Sequence, residues 1–218
     1  MRQTLARAPS LRESLLMTNW NPEILNAHIA PGFGDFKSAS IPDLTGKFDQ
    51  EEHWVANYFG NSVLRASYVE PQRQLVLAYL RRAEHAFRTY QAARQKTLAF
   101  LAAPSATSYY LAVSDWEVFA LNFSMACDIF NKGFSTKVFD KGDGSRGFRL
   151  YSIANNIKHP SSYLMRGGEG LEAIPLWLTN GGLMSYDGLG VAYQETAEIM
   201  TELATIAHNL QDPAQHLE

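Results

Sequence analysis

The sequence predicts an all-α fold: an antiparallel helical bundle of four to five main helices, with a small β-hairpin insertion near residues 174–186. Three observations predict it. Tyr109, Val113, Trp116, Ala120, Phe123, Cys127 and Phe130 alternate spacings of four and three, which is one face of a helix. Val76, Leu80, Ala83, Phe87 and Tyr90 carry the same pattern in the segment before it. Two such faces separated by Pro104 suit antiparallel helices that pack at a shallow angle. Third, apolar stretches at 174–178 and 183–186 flank Thr179-Asn180-Gly181-Gly182, and Asn-Gly tolerates the positive φ angles of a tight hairpin turn.

The elements follow in order. Residues 1–70 read as an irregular, short-helix segment, and residues 71–211 as the bundle core of one domain spanning 1–218. Asn21-Pro22 starts a short helix that runs to about His28. Pro31, Gly32, Gly34, Pro42 and Gly46 then break any long element. Residues 49–65 read as helix, with Trp54, Tyr58 and Phe59 on one side and an interruption at Gly60-Asn61. Pro71 opens a helix that ends near Pro104. Its other faces carry Arg81, Arg82, Arg88, Arg94 and Lys96, and this stripe reads as a salt-bridged or solvated surface. Burying the aromatic side chains of the next helix stabilises the fold by roughly 1.5–3 kcal/mol each, and Gly133 terminates that helix. Residues 137–147 read as a mobile loop. Helix resumes over 146–158, with Leu150, Ile153 and Ile157 inward, and Pro160 closes it. A final helix covers about 191–211, with Thr196, Met200, Leu203, Ile206 or Ala207, and Leu210 inward.

Composition excludes several classes. A chain of 218 residues, 46% apolar, can bury a real core without a metal or disulfide. The single Cys127 has no internal bridging partner; it fits a reducing compartment, and a cytoplasmic location is expected. It reads as a core residue, because apolar burial raises a thiol pKa. A net charge of −3 argues against wholesale nucleic-acid coating but leaves room for a local basic patch. The first sixteen residues lack the continuous apolar stretch of a secretory signal. The uncharged run between Lys96 and Asp115 is interrupted by Pro104, Ser105, Thr107 and Ser108, so no membrane association is expected. Glu51-Glu52-His53 and Glu84-His85 lack the Glu-x-x-His spacing of a di-iron bundle. One cysteine with scattered histidines gives no zinc set, so neither metal nor cofactor is expected. Gly142-Asp143-Gly144 and Gly167-Gly168-Glu169-Gly170 lack the Gly-Lys-Ser/Thr ending of a phosphate loop. Glu198 and Glu202 share a helix face and read as solvated carboxylates.

Chemistry concentrates at residues 149–159. A stripe of Arg149, Ser152, Asn156 and His159 runs along the helix, with Asn155 one turn before His159 and Lys158 adding charge. Cations and amides of this kind attract and orient a phosphate. A histidine can take a proton from a ribose 2′-hydroxyl or give one to a leaving oxygen. With one such histidine per chain, acid and base come most easily from two chains at a two-fold axis, so a homodimer is expected. The plain alternative is that His159 serves the helix end, satisfying carbonyls and complementing the helix dipole, while the asparagines bond across the helix packing.

The stretch Ala154-Asn155-Asn156-Ile157-Lys158-His159, closing a helix in an all-helical chain, resembles the HEPN family of nucleotide-binding and ribonuclease domains. The aromatic helix before it, and the Trp177 hairpin and helix after it, also resemble bacterial members of that group. The likeness spans 71–211, although only the short motif is specific. It implies an RNA- or nucleotide-binding protein that extends to metal-independent endoribonuclease activity of a toxin or phage-defence type. In that reading His159 matches the family histidine, Asn155 matches the polar residue, and Arg149, Asn156 and Lys158 hold phosphate. Ala154 stands where the tightest form of the motif has arginine. Either Arg149 or Lys158 replaces that charge, or the activity is lost. The rivals are a non-catalytic helical interaction module, antitoxin-like and bound to another protein, and a small-molecule pocket between the bundle and the Trp177 hairpin, lined by Tyr109, Tyr110 and Trp116.

Overall fold

The computed structural model describes residues 23, 26, 30–48, 53–134, 137–164 and 174–211. Within them the chain is mostly helical, with one small antiparallel sheet. The helix expected over 21–28 lies outside the described residues apart from Glu23 and Asn26, both helical. Residues 49–52 of the next expected helix also lie outside them. The rest of that helix forms α1 (Trp54–Gly60) and α2 (Ser62–Ser67). They break at Asn61, whose side chain turns to accept from Leu64 N and cap α2. Trp54 and Tyr58 are buried, but Phe59 is 56% exposed, a correction to its expected place on the inner side.

Helix α3 (Gln72–Ala102) and helix α4 (Ala106–Gly133) form the long antiparallel pair. Between them, Ser105 and Ser108 cap each other's backbone N–H, which fixes where α4 begins. The pairing is legible in the contacts: Trp116 donates to Thr97 at 2.9 Å, Tyr90 packs on Phe119, and Tyr79 packs on Phe130. Every expected inward residue of α3 is buried, and so is each of α4 except Phe130, which is half-buried. The chain from Ala30 to Phe48 then closes one end of this pair. Phe36 stacks on Phe100 and Phe33 meets Tyr109 edge-to-face, while Tyr90 and Arg94 donate to the carbonyls of Pro42 and Ile41. The cations of α3 are largely consumed in the same way: Arg82 on Asn122, Arg88 on Glu84, Arg94 on Asp43 and Lys96 on Asp115.

Helix α5 (Arg146–Lys158) falls where expected, capped by Ser145. Pro160 does more than close it, because it opens a short helix, α6 (Pro160–Leu164), as suits a residue whose missing N–H is no loss there. The hairpin region gains a strand. β1 (Leu176–Leu178), β2 (Gly182–Ser185) and β3 (Gly190–Ala192) make an antiparallel sheet in the order β1-β2-β3. β3 takes Val191 from the expected last helix, so α7 runs Tyr193–Asn209. The close approach of β3 requires Gly182, where an added Cβ would lie 2.2 Å from the Val191 oxygen. The turn differs from expectation too, since Gly181 does not take a positive φ. Thr179 Oγ1 accepts from Gly182 N, and the Asn180 side chain is spent on holding the backbone of Lys37, Ser38 and Asp35.

Candidate functional site

Three elements present α5. Its inner face, Leu150, Ile153 and Ala154, is fully buried. Position 154 therefore cannot carry an arginine in this fold, because a guanidinium there would be stranded without water at a cost of several kcal/mol. On the α7 side, Arg146 is bracketed by Glu198 and Glu202, so those two carboxylates are helix-to-helix struts and not simply solvated. On the α4 side, Tyr151 donates to Asp128 at 2.8 Å. Burial, and then the Asp128 carboxylate, push its phenol above the usual tyrosine range.

The expected stripe is divided by these contacts. Arg149 turns toward the sheet, where Nη1 donates to the Gly190 carbonyl at 2.7 Å and Nη2 pairs with Glu195. Glu195 in turn accepts from Ala192 N and caps α7. Asn156 donates to Ser185 Oγ at 3.0 Å, and Ser185 passes the bond to the Pro175 carbonyl. Lys158 reaches inward, donating to the buried Ser124 hydroxyl at 2.7 Å, with its ammonium 5.7 Å from the Tyr151 ring centre. His159 caps the end of α5, with its N–H on the Asn155 carbonyl, and its side chain is exposed.

Asn155 sits elsewhere. With Ser152 and Phe148 it lines a recess of about 440 Å³, completed by Asn131, Lys137, Phe139, Lys141 and Tyr151. Phe148, Ser152, Asn155 and His159 follow spacings of four, three and four, so the recess and the histidine occupy one side of α5. The loop before α5 is held to the recess by Phe139, which packs on Tyr151 and Phe148 at ring distances of 5.3 and 6.1 Å. Asn131 anchors the same loop by accepting from Val138 N. Gly147 leaves room for Phe139, since a Cβ there would come within 3.0 Å of the ring. Lys137 pairs in solvent with Asp140, and Lys141 has no ion-pair partner among the described residues.

Residues 137–147 show only loop character in the sequence, where Lys137, Phe139 and Lys141 carry no periodic signal of their own. The available signal was the second periodic stripe of α5, from Phe148 to His159, which faces that loop. Of the residues expected to line a small-molecule pocket beside the Trp177 hairpin, Tyr109 and Trp116 are fully buried, with the Tyr109 hydroxyl accepting from Leu178 N, and Tyr110 is 39% exposed. Burial pushes the Cys127 thiol far up, in keeping with a core residue. No helix among the described residues is long and apolar enough to cross a membrane. No family model, curated protein or solved structure matches this chain.

Proposed function

We propose that this protein is a HEPN-like helical bundle that binds RNA or a nucleotide beside α5 and uses His159 for metal-independent RNA cleavage. One observation carries the reading. The exposed imidazole at the end of α5 lies one turn beyond Asn155, which opens onto a recess with two lysines, three aromatic rings and no carboxylate in its lining. The antiparallel packing of α3 on α4, with α5 and α7 against that pair, is consistent with the bundle.

The chemistry uses the chain's own groups. His159 takes the proton from a ribose 2′-hydroxyl, and that oxygen attacks the adjacent phosphorus. The bond from phosphorus to the 5′-oxygen breaks, and the leaving oxygen takes a proton from an imidazolium. The products are a 2′,3′-cyclic phosphate and a 5′-hydroxyl end. A second copy placing its own His159 across a two-fold axis would supply the acid. Lys141 has no ion-pair partner among the described residues, and Lys137 holds a solvent-exposed pair with Asp140 that a phosphate can displace, so these two are the cations that meet it. Arg149, Asn156 and Lys158 already have partners in the fold, so they act by fixing α5 in place.

That last point supports a second reading, a non-catalytic module that binds an antitoxin or other protein partner. The two separate in one assay. A labelled single-stranded RNA is incubated with the purified chain in chelator, beside His159→Ala. Cleavage to cyclic-phosphate ends that drops at least a hundredfold in the variant supports the catalytic reading. Intact RNA with both proteins overturns it.

A further inference from the structure

The lining of the α5 recess describes its ligand more narrowly than the motif does. Its volume of about 440 Å³ falls within the roughly 300–1,000 Å³ of small-molecule sites. Phe139, Phe148 and Tyr151 supply aromatic surface, which favours a flat ring by offset or edge contact. Lys137 and Lys141 supply positive charge at the loop side. Asn131 and Asn155 supply amides, which can donate to or accept from a heterocycle edge. Of the carboxylates near this loop, Asp140 pairs in solvent with Lys137 of the lining, and Asp143 accepts from the backbone of Ser145 and Asp140. An anion entering the recess therefore meets the Lys141 ammonium and the amides, and competes with Asp140 for Lys137 across a weak, solvent-screened pair.

We propose that the recess between the 137–145 loop and α5 is a binding site for a nucleoside monophosphate unit, with the base against Phe139, Phe148 and Tyr151 and the phosphate on Lys137 and Lys141. The inference deepens the nucleotide-binding reading and does not use the cleavage chemistry. The unit has two sources, a free mononucleotide or an unpaired nucleotide of a single strand. Duplex RNA is excluded from the recess, because its bases are stacked and their faces are not available to the rings.

Adenosine 5′-monophosphate, adenosine, inorganic phosphate and a short single-stranded oligoadenylate are titrated into the full chain by calorimetry. The expected result is saturable binding of the monophosphate, with adenosine and phosphate each weaker by tenfold or more, since each keeps only half of the contacts. Lys141→Ala and Lys137→Ala lie on exposed positions, the second losing a solvent-exposed pair with Asp140, and each is expected to weaken the monophosphate at least fivefold. An oligonucleotide that binds tenfold tighter, with the same lysine dependence, assigns the site to a strand. Equal affinity assigns it to the free nucleotide. No saturable binding of either, or binding indifferent to both lysine variants, overturns the assignment. Nucleotide bound by the lysines with RNA left uncut removes the catalytic reading alone, and RNA cut without monophosphate binding removes this site alone.

Discussion

Replacing Arg149 with alanine separates a phosphate ligand from a structural strut. Its bond to the Gly190 carbonyl is charge-assisted and partly buried, a type that contributes about 1.5–3 kcal/mol. The pair with Glu195 is about one third exposed on each side, at 33% and 30%, so water screens it to about 1 kcal/mol or less. Against these, Arg149 Nε is buried with no hydrogen-bond partner, so part of the desolvation of the guanidinium goes unrecovered. The net loss is about 2 kcal/mol, which at about 2–4 °C per kcal/mol for a chain of this size lowers Tm by about 4–8 °C. Glu195→Gln keeps an oxygen for Ala192 N and loses only the ion pair, so it costs about 0.5–1 kcal/mol, and the double variant reveals the coupling between the two. Urea unfolding followed by circular dichroism measures the stability, and calorimetry on the same samples measures nucleotide binding. A variant within about 0.5 kcal/mol of the parent that has lost nucleotide affinity tenfold or more refutes the reasoning, because Arg149 would then be serving the ligand and not the fold.

Trp116→Phe removes a buried hydrogen bond to Thr97 and leaves a void at the centre of α3 and α4; a loss of about 1.5–3 kcal/mol in urea unfolding is expected, and none would mean the site repacks freely. Gly182→Ala drives a methyl into the Val191 carbonyl, so β3 must shift away; destabilisation of about 2–3 kcal/mol, with faster amide exchange at Ala192, is expected. Glu117 is pushed above the ordinary carboxylate range by burial, so the folded chain holds a proton more tightly than the unfolded one and stability falls as pH rises through that window. Glu117→Gln should therefore raise Tm at neutral pH, with the gain vanishing below the unfolded pKa of about 4.3; an equal gain at both pH values would point to packing instead of charge.

Periodicity alone placed α3, α4 and α5, because a long seam such as Tyr109 to Cys127 has no other way to be buried than as one helical face. It also placed Cys127 in the core and marked 174–186 as extended. What it could not supply was the direction of each polar side chain. Arg149, Asn156 and Lys158 share a short helix with Asn155 and His159, yet Gly190, Ser185 and Ser124 lie 41, 29 and 34 residues away in sequence and claim the first three. Those partners are set by how the sheet and α4 pack on α5. The recess has the same origin: Lys137, Phe139 and Lys141 read as loop until Phe139 docks on Phe148 and Tyr151 and brings both lysines to the Asn155 side of the helix. The third strand was hidden for a related reason, since Gly190, Val191 and Ala192 are too few to show a period and extend only because Gly182 lets them pair with β2. Local spacing fixes which face of a helix is apolar; only long-range packing decides which of its polar groups remain free to meet a ligand.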